Sequence, residues 1–86
     1  MASRVVLFST ASCTYCAHAR NLLSKRGVAF EEVDLSDDSE LQAQLTEVTG
    51  LDSYPQIVVD GEPLGGLNEL RAAEKSGAMA AWADAA

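Results

Sequence analysis

Short strand-like runs alternate with helix-like segments along this chain, and the breakers between them leave few ways to fold. Arg4 to Ser9, RVVLFS, is β-branched and aromatic, and reads as a buried first strand. From about Cys13 to Lys25 the apolar residues Cys16, Ala19, Leu22 and Leu23 recur at helical spacing. Lys25 and Arg26 suit the negative end of that helix, and Gly27 stops it. Val28 to Leu35 predicts a second strand. Ser36 to Ser39 offers a turn and a cap for a helix over about Ser39 to Val48, expected to carry Leu41 and Leu45 inward and to end at Gly50. Pro55 opens a third strand, Gln56 to Val59, and Asp60-Gly61 is a hairpin signal. A short fourth strand, Glu62 to Leu64, ends at Gly65-Gly66. A last helix is expected from near Asn68 to about Lys75, with another helical turn or two over Ala78 to Ala85 around Trp82.

The order β-α-β-α-β-β-α implies an α/β fold. Helical crossovers let the first strands lie parallel, and the last two form a hairpin, giving a mixed four-stranded sheet with helices on both faces. With 86 residues, 48% of them apolar, the chain suits one small domain, 1–86, with a modest core. No internal repeat or linker interrupts it.

Charge and hydropathy narrow the function. A net charge of −7 argues against general affinity for nucleic acid, which needs positive surface. It favours partners with basic patches, and serves solubility equally well. No segment approaches the roughly 18 apolar residues of a membrane span. Met1 to Phe8 runs straight into the first strand with no basic and apolar leader pattern, which predicts a cytoplasmic protein.

The chemistry sits in Ser12 to Arg20, SCTYCAHAR, which holds the only two cysteines. Cys13 and Cys16, placed between a strand and a helix, suggest redox chemistry. At a helix N-terminus Cys13 would face free backbone N–H groups and the positive end of the dipole, both of which favour a thiolate. Cys13 is therefore the candidate attacker. Cys16, one turn in and more buried, is placed to resolve a mixed disulfide held on Cys13. Zinc is the chemical rival, but there is no third cysteine, and the single histidine, His18, converges poorly with positions 13 and 16. Two ordinary buried cysteines would also fit the spacing. Tyr15 reads either as a cover over Cys13 or as an exposed tyrosine. His18 reads as helix surface. Arg20 reads as helix solvation or as an attraction for negative charge.

Three motifs, in order, resemble those of the small classical dithiol glutaredoxins. Cys13-Thr14-Tyr15-Cys16 stands where that family carries Cys-Pro-Tyr-Cys. Ser53-Tyr54-Pro55 stands where it carries Thr-Val-Pro, and Gly65-Gly66 matches the glycine pair before the last helix. The resemblance runs from Val5 to about Gly77. It implies a thioredoxin-like fold and a glutathione-dependent thiol–disulfide oxidoreductase. Such an enzyme reduces protein–glutathione mixed disulfides and protein disulfides, with glutathione restored by a separate NADPH-dependent glutathione reductase. It implies a cis Pro55 facing the reactive cysteine, with the backbone of Tyr54 pairing with the cysteinyl part of glutathione as a short strand would. It implies that Gly66 allows close approach, while Leu67 and Asn68 receive the γ-glutamyl carboxylate at a helix N-terminus. Asn68 is also a natural N-cap.

The departures matter too. Thr14 replaces the family's proline between the cysteines, adding an N–H and a hydroxyl near the thiols. Relatives without that proline include some that hold a [2Fe–2S] cluster between two subunits, through the first cysteine of each and two glutathiones, so a cluster-bridged dimer through Cys13 stands as an alternative. A redoxin reduced directly by a flavin reductase is another. Thr10 stands where many relatives carry a basic residue for the glycyl carboxylate, and can offer only a hydrogen bond. Tyr54 puts a large ring on one wall of the groove, and Asp52 would repel an anion if it pointed inward. Without a cluster, a monomer is expected.

Overall fold

The computed structural model describes residues 4–11 and 13–83. Four strands, β1 (Val5–Ser9), β2 (Phe30–Asp34), β3 (Gln56–Val59) and β4 (Glu62–Gly65), form one sheet in the order β2-β1-β3-β4. β1 pairs parallel with β2 and antiparallel with β3, and β3 pairs antiparallel with β4. Helices α1 (Thr14–Lys25), α2 (Ser39–Thr49), α3 (Leu67–Ser76) and α4 (Ala78–Trp82) flank the sheet. This is the expected thioredoxin-like α/β arrangement. The last segment forms α4, and the part expected beyond Ala83 lies outside the described residues.

β1 takes the centre because its side chains alternate. Val5, Leu7 and Ser9 are buried while Val6 and Phe8 are half-buried. Leu7 lies opposite Ile57 on β3, and both join one apolar core with Leu23 of α1, Leu70 of α3 and Met79 and Trp82 of α4. Burying each large aliphatic side chain is worth about 1.5–3 kcal/mol, so the core binds α1 and α3 firmly to the sheet. The β3–β4 connection is the hairpin that Asp60-Gly61 announced: φ is 52° and 83° at these two residues, a two-residue turn with both centres left-handed. Asp60 reinforces it, its carboxylate accepting from the Arg4 N–H at 2.8 Å.

Three expectations need correction. α2 buries no residue fully, and Leu41, expected inside, is 37% exposed. The hydrophobic spacing chose a helix, but the helix lies at the periphery, where one apolar face has no deep partner. The second strand is shorter than Val28 to Leu35: Val28 and Leu35 are buried beyond the ends of the paired segment Phe30–Asp34. The last helix is capped by Gly66 rather than Asn68, with the Gly66 N–H donating to Glu69 Oε1 at 2.7 Å. A carboxylate three residues on satisfies the cap backbone, so no Ncap side chain is required.

Candidate functional site

The chain leaves β1 and reaches α1 within four residues, which puts Cys13 at the helix cap. Its extended backbone, φ −94° and ψ 103°, is the ordinary N-cap geometry, and its sulfur does what a capping oxygen usually does. The Cys16 N–H donates to Cys13 Sγ at 3.1 Å. Cys16 is 1% exposed and Cys13 is half-buried, so one sulfur is reachable and the other is sheltered. The two form a disulfide, with their Cα atoms 5.2 Å apart. On reduction, the N–H directed at Cys13 Sγ and the helix dipole both stabilise a thiolate there.

Beside Tyr15 opens a groove of about 690 Å³. Tyr15, Tyr54, Pro55, Gly66, Leu67 and Asn68 all line it. Residues far apart in sequence meet there because β3 and β4 are adjacent: the loop before β3 and the loop after β4 emerge at one end of the sheet. The Tyr54–Pro55 peptide bond is cis. Gly65 has φ 128°, and an added Cβ would lie 2.7 Å from the Glu69 side chain. A Cβ on Gly66 would lie 3.4 Å from the Pro55 carbonyl oxygen, so the two loops are in close contact across the groove.

Other expected residues fall outside this lining. Thr10 is half-buried just after β1 and is not part of it, nor are the two cysteines themselves. Asp52 is exposed and does not line the groove. His18 lies on the helix surface as expected. Arg20 does more than solvate its helix: its guanidinium donates twice to Glu32 of β2, at 2.6 Å each, and Ser9 Oγ donates to the same carboxylate at 2.9 Å. This holds the Glu32 carboxyl below its usual range, chiefly through the Arg20 hydrogen bonds.

The sequence reading missed the lining residues Thr49, Leu51, Pro63, Leu64, Glu69 and Arg71, and the supporting residue Gln56. Arg71 lies four residues after Leu67, on the same helical face, so the spacing carried the signal. Gln56, 1% exposed at the start of β3, holds the loop before it. Its amide donates to the Leu51 carbonyl at 2.9 Å, and its oxygen accepts from Thr49 Oγ1 at 2.8 Å. A polar residue beside a proline, at the head of an apolar strand, was the clue to a specific partner. Tyr54 differs again: its hydroxyl is closed off from solvent and has no hydrogen-bond partner among the described residues.

The glutaredoxin family model matches residues 5–64, which contain the cysteine pair and the cis proline. The chain belongs to the glutaredoxin family. It is 37% identical over 75 residues to a glutaredoxin of Pseudomonas aeruginosa, covering 87% of this chain and 89% of that one. Among solved structures, a wheat glutaredoxin superposes with a TM-score of 0.83 at 32% identity, covering 91% of this chain and 78% of the wheat chain. A buckwheat glutaredoxin–glutathione complex superposes with a TM-score of 0.82 at 25% identity, covering 90% of this chain and 73% of the buckwheat chain. This glutaredoxin is a thiol–disulfide oxidoreductase, with the Cys13–Cys16 pair as its redox centre and glutathione as its electron donor. Among the described residues no group of three or more His, Cys, Asp or Glu side chains is gathered to hold a metal ion, and no helix is long and apolar enough to cross a membrane.

Proposed function

We propose that Cys13 is the nucleophile and Cys16 the resolving thiol, acting on protein–glutathione mixed disulfides and on protein disulfides. The observation that carries this assignment is the asymmetry of the pair: Cys13 caps the helix with an N–H on its sulfur, while Cys16 is sealed beneath it. In the first cycle, Cys13 thiolate attacks the glutathione sulfur of a mixed disulfide. The S–S bond breaks, the target leaves as a thiolate that takes up a proton, and glutathione is left on Cys13. A second glutathione thiolate attacks that adduct, producing oxidised glutathione and freeing Cys13. For a protein disulfide, Cys13 forms the mixed disulfide with the target. Cys16 then displaces the target and closes the Cys13–Cys16 bond, which two glutathiones reopen. The groove formed by Tyr15, Tyr54, Pro55, Gly66, Leu67 and Asn68 orients glutathione rather than performing chemistry. Thr10 retains a place only as a hydroxyl beside the Cys13 turn.

Residues 1–86 act as one domain, a reading supported by the one apolar core found among the described residues. The dithiol form requires a reducing compartment rich in glutathione, which supports a cytoplasmic location, with glutathione reductase acting indirectly. The working form is a monomer.

The test is turnover of a small glutathione mixed disulfide, coupled to NADPH oxidation through glutathione reductase. Wild type and Cys16→Ser turn over, and Cys13→Ser is reduced to background. An inactive wild type would replace this reading with direct reduction by a flavin reductase, or with a brown, cluster-bridged dimer on reconstitution.

A further inference from the structure

A second cavity, of about 490 Å³, lies between α1 and α3. Its floor is apolar, formed by Leu22 and Leu67, and its rim carries His18, Arg26, Arg71 and Lys75 together with one carboxylate, Glu74. On α1 the residues Tyr15, His18, Leu22 and Arg26 follow one another at spacings of three and four, so they share one helical face. Tyr15 and Leu67 both line the glutathione groove, near the starts of their helices. At the far end Arg26 Nε meets Glu74 Oε2 at 2.5 Å. The two helices therefore run side by side in the same direction. The cavity is a furrow that begins at the groove, and Leu67 and Arg71 line both.

Its charge is opposite to that of the chain. The whole sequence carries −7 and holds only six Lys and Arg residues, yet three of the six and the single histidine line this furrow. Arg26 is paired with Glu74, whereas Arg71 and Lys75 enter no salt bridge among the described residues. A protein with this net charge repels anions at long range. Unpaired cations along a furrow that joins the groove offset that repulsion locally, and such local complementarity selects partners more than it sets raw affinity.

We propose that the furrow docks an extended acidic segment of the target polypeptide, the stretch flanking its glutathionylated cysteine. The inference rests on the reading that Cys13 attacks such mixed disulfides. From Tyr15 to Arg26 the helix rises about 16 Å, which accommodates roughly five extended residues. Aspartate or glutamate side chains pair with Arg71 and Lys75, and an apolar side chain between them settles on Leu22 and Leu67.

The test uses three glutathionylated peptides of equal length, with glutamate, neutral or lysine flanks, and a small glutathione mixed disulfide as reference. Exposed ion pairs are worth up to about 1 kcal/mol each, so wild-type kcat/KM should favour the acidic peptide over the lysine peptide by about fivefold or more at low salt. The preference should shrink toward unity at about 0.5 M salt. Lys75→Glu and, separately, His18→Glu should reduce turnover of the acidic peptide and leave the small reference unchanged. Equal rates on all three peptides, or variants that slow every substrate alike, overturn the proposal. An NMR titration with the same peptides, serine replacing the cysteine, separates docking from chemistry. Shifts gathered on His18, Leu22, Arg71 and Lys75 with the acidic peptide alone support the furrow even if turnover fails for another reason. Their absence overturns it even if turnover is fast.

Discussion

Tyr54 presents an unusual balance. It helps to line the groove, yet its hydroxyl lies out of reach of solvent with no partner among the described residues. Burial raises its pKa, keeping the phenol neutral across the physiological range. A buried polar group without a partner costs stability, and removing it while keeping the shape recovers part of that cost. Tyr54→Phe should therefore be as stable as wild type or more so, by up to about 1 kcal/mol, and should retain glutathione turnover. Thermal unfolding with a parallel activity assay checks this. A loss of stability would mean that the hydroxyl is satisfied.

At the scale of elements, the notable joint is the one linking β1, β2 and α1. Ser9, Arg20 and Glu32 come from three different elements and meet on one carboxylate. Because the folded pKa of Glu32 is depressed, its contribution is complete above the ordinary glutamate value of about 4.3 and is lost as pH falls through the folded value. The pair is partly exposed, with side-chain exposures of 44% for Arg20 and 28% for Glu32, so solvent screening limits the gain to roughly 0.5–1 kcal/mol. Urea unfolding of wild type and Glu32→Gln should differ by that amount at pH 7, and the gap should narrow as the pH falls below the ordinary glutamate value and through the depressed folded one. A gap that did not narrow with falling pH would point to lost packing rather than lost charge.

For the molecule as a whole, the core is polarised toward one helix layer. Leu70 of α3 is fully buried, with Leu23, Met79 and Trp82 in the same cluster, whereas α2 contributes no fully buried residue. A domain of this kind is stable by only about 5–15 kcal/mol, so one core cavity takes a large share. Leu70→Ala should cost about 2–5 kcal/mol, and Leu41→Ala on exposed α2 well under 1 kcal/mol. Denaturant midpoints would show the contrast, and equal losses would mean that α2 is tied to the core more tightly than its burial indicates.

Local rules were enough to read much of this protein from its residues. The β-branched run Arg4 to Ser9, the breakers Gly27, Gly50 and Asp60-Gly61, and the helical spacing after Cys13 each act within a few residues, so the element order was legible, and with it the placing of Cys13 at a helix cap. The three motifs, Cys13 to Cys16, Ser53 to Pro55 and Gly65-Gly66, carried the family and part of the groove lining. Long-range packing decided the rest. Leu41 has the right spacing to face inward, but only the docked position of α2 determines whether anything lies opposite it. Asn68 is a good N-cap residue, but the side chain of Glu69 satisfied Gly66 first. Arg20 found Glu32, Gln56 found Leu51 and Thr49, and Arg71 and Lys75 came to share a furrow with His18 through the same cause. Side-chain partners and local fields depend on which elements the sheet and core bring side by side, and a one-dimensional pattern contains the elements without their distances.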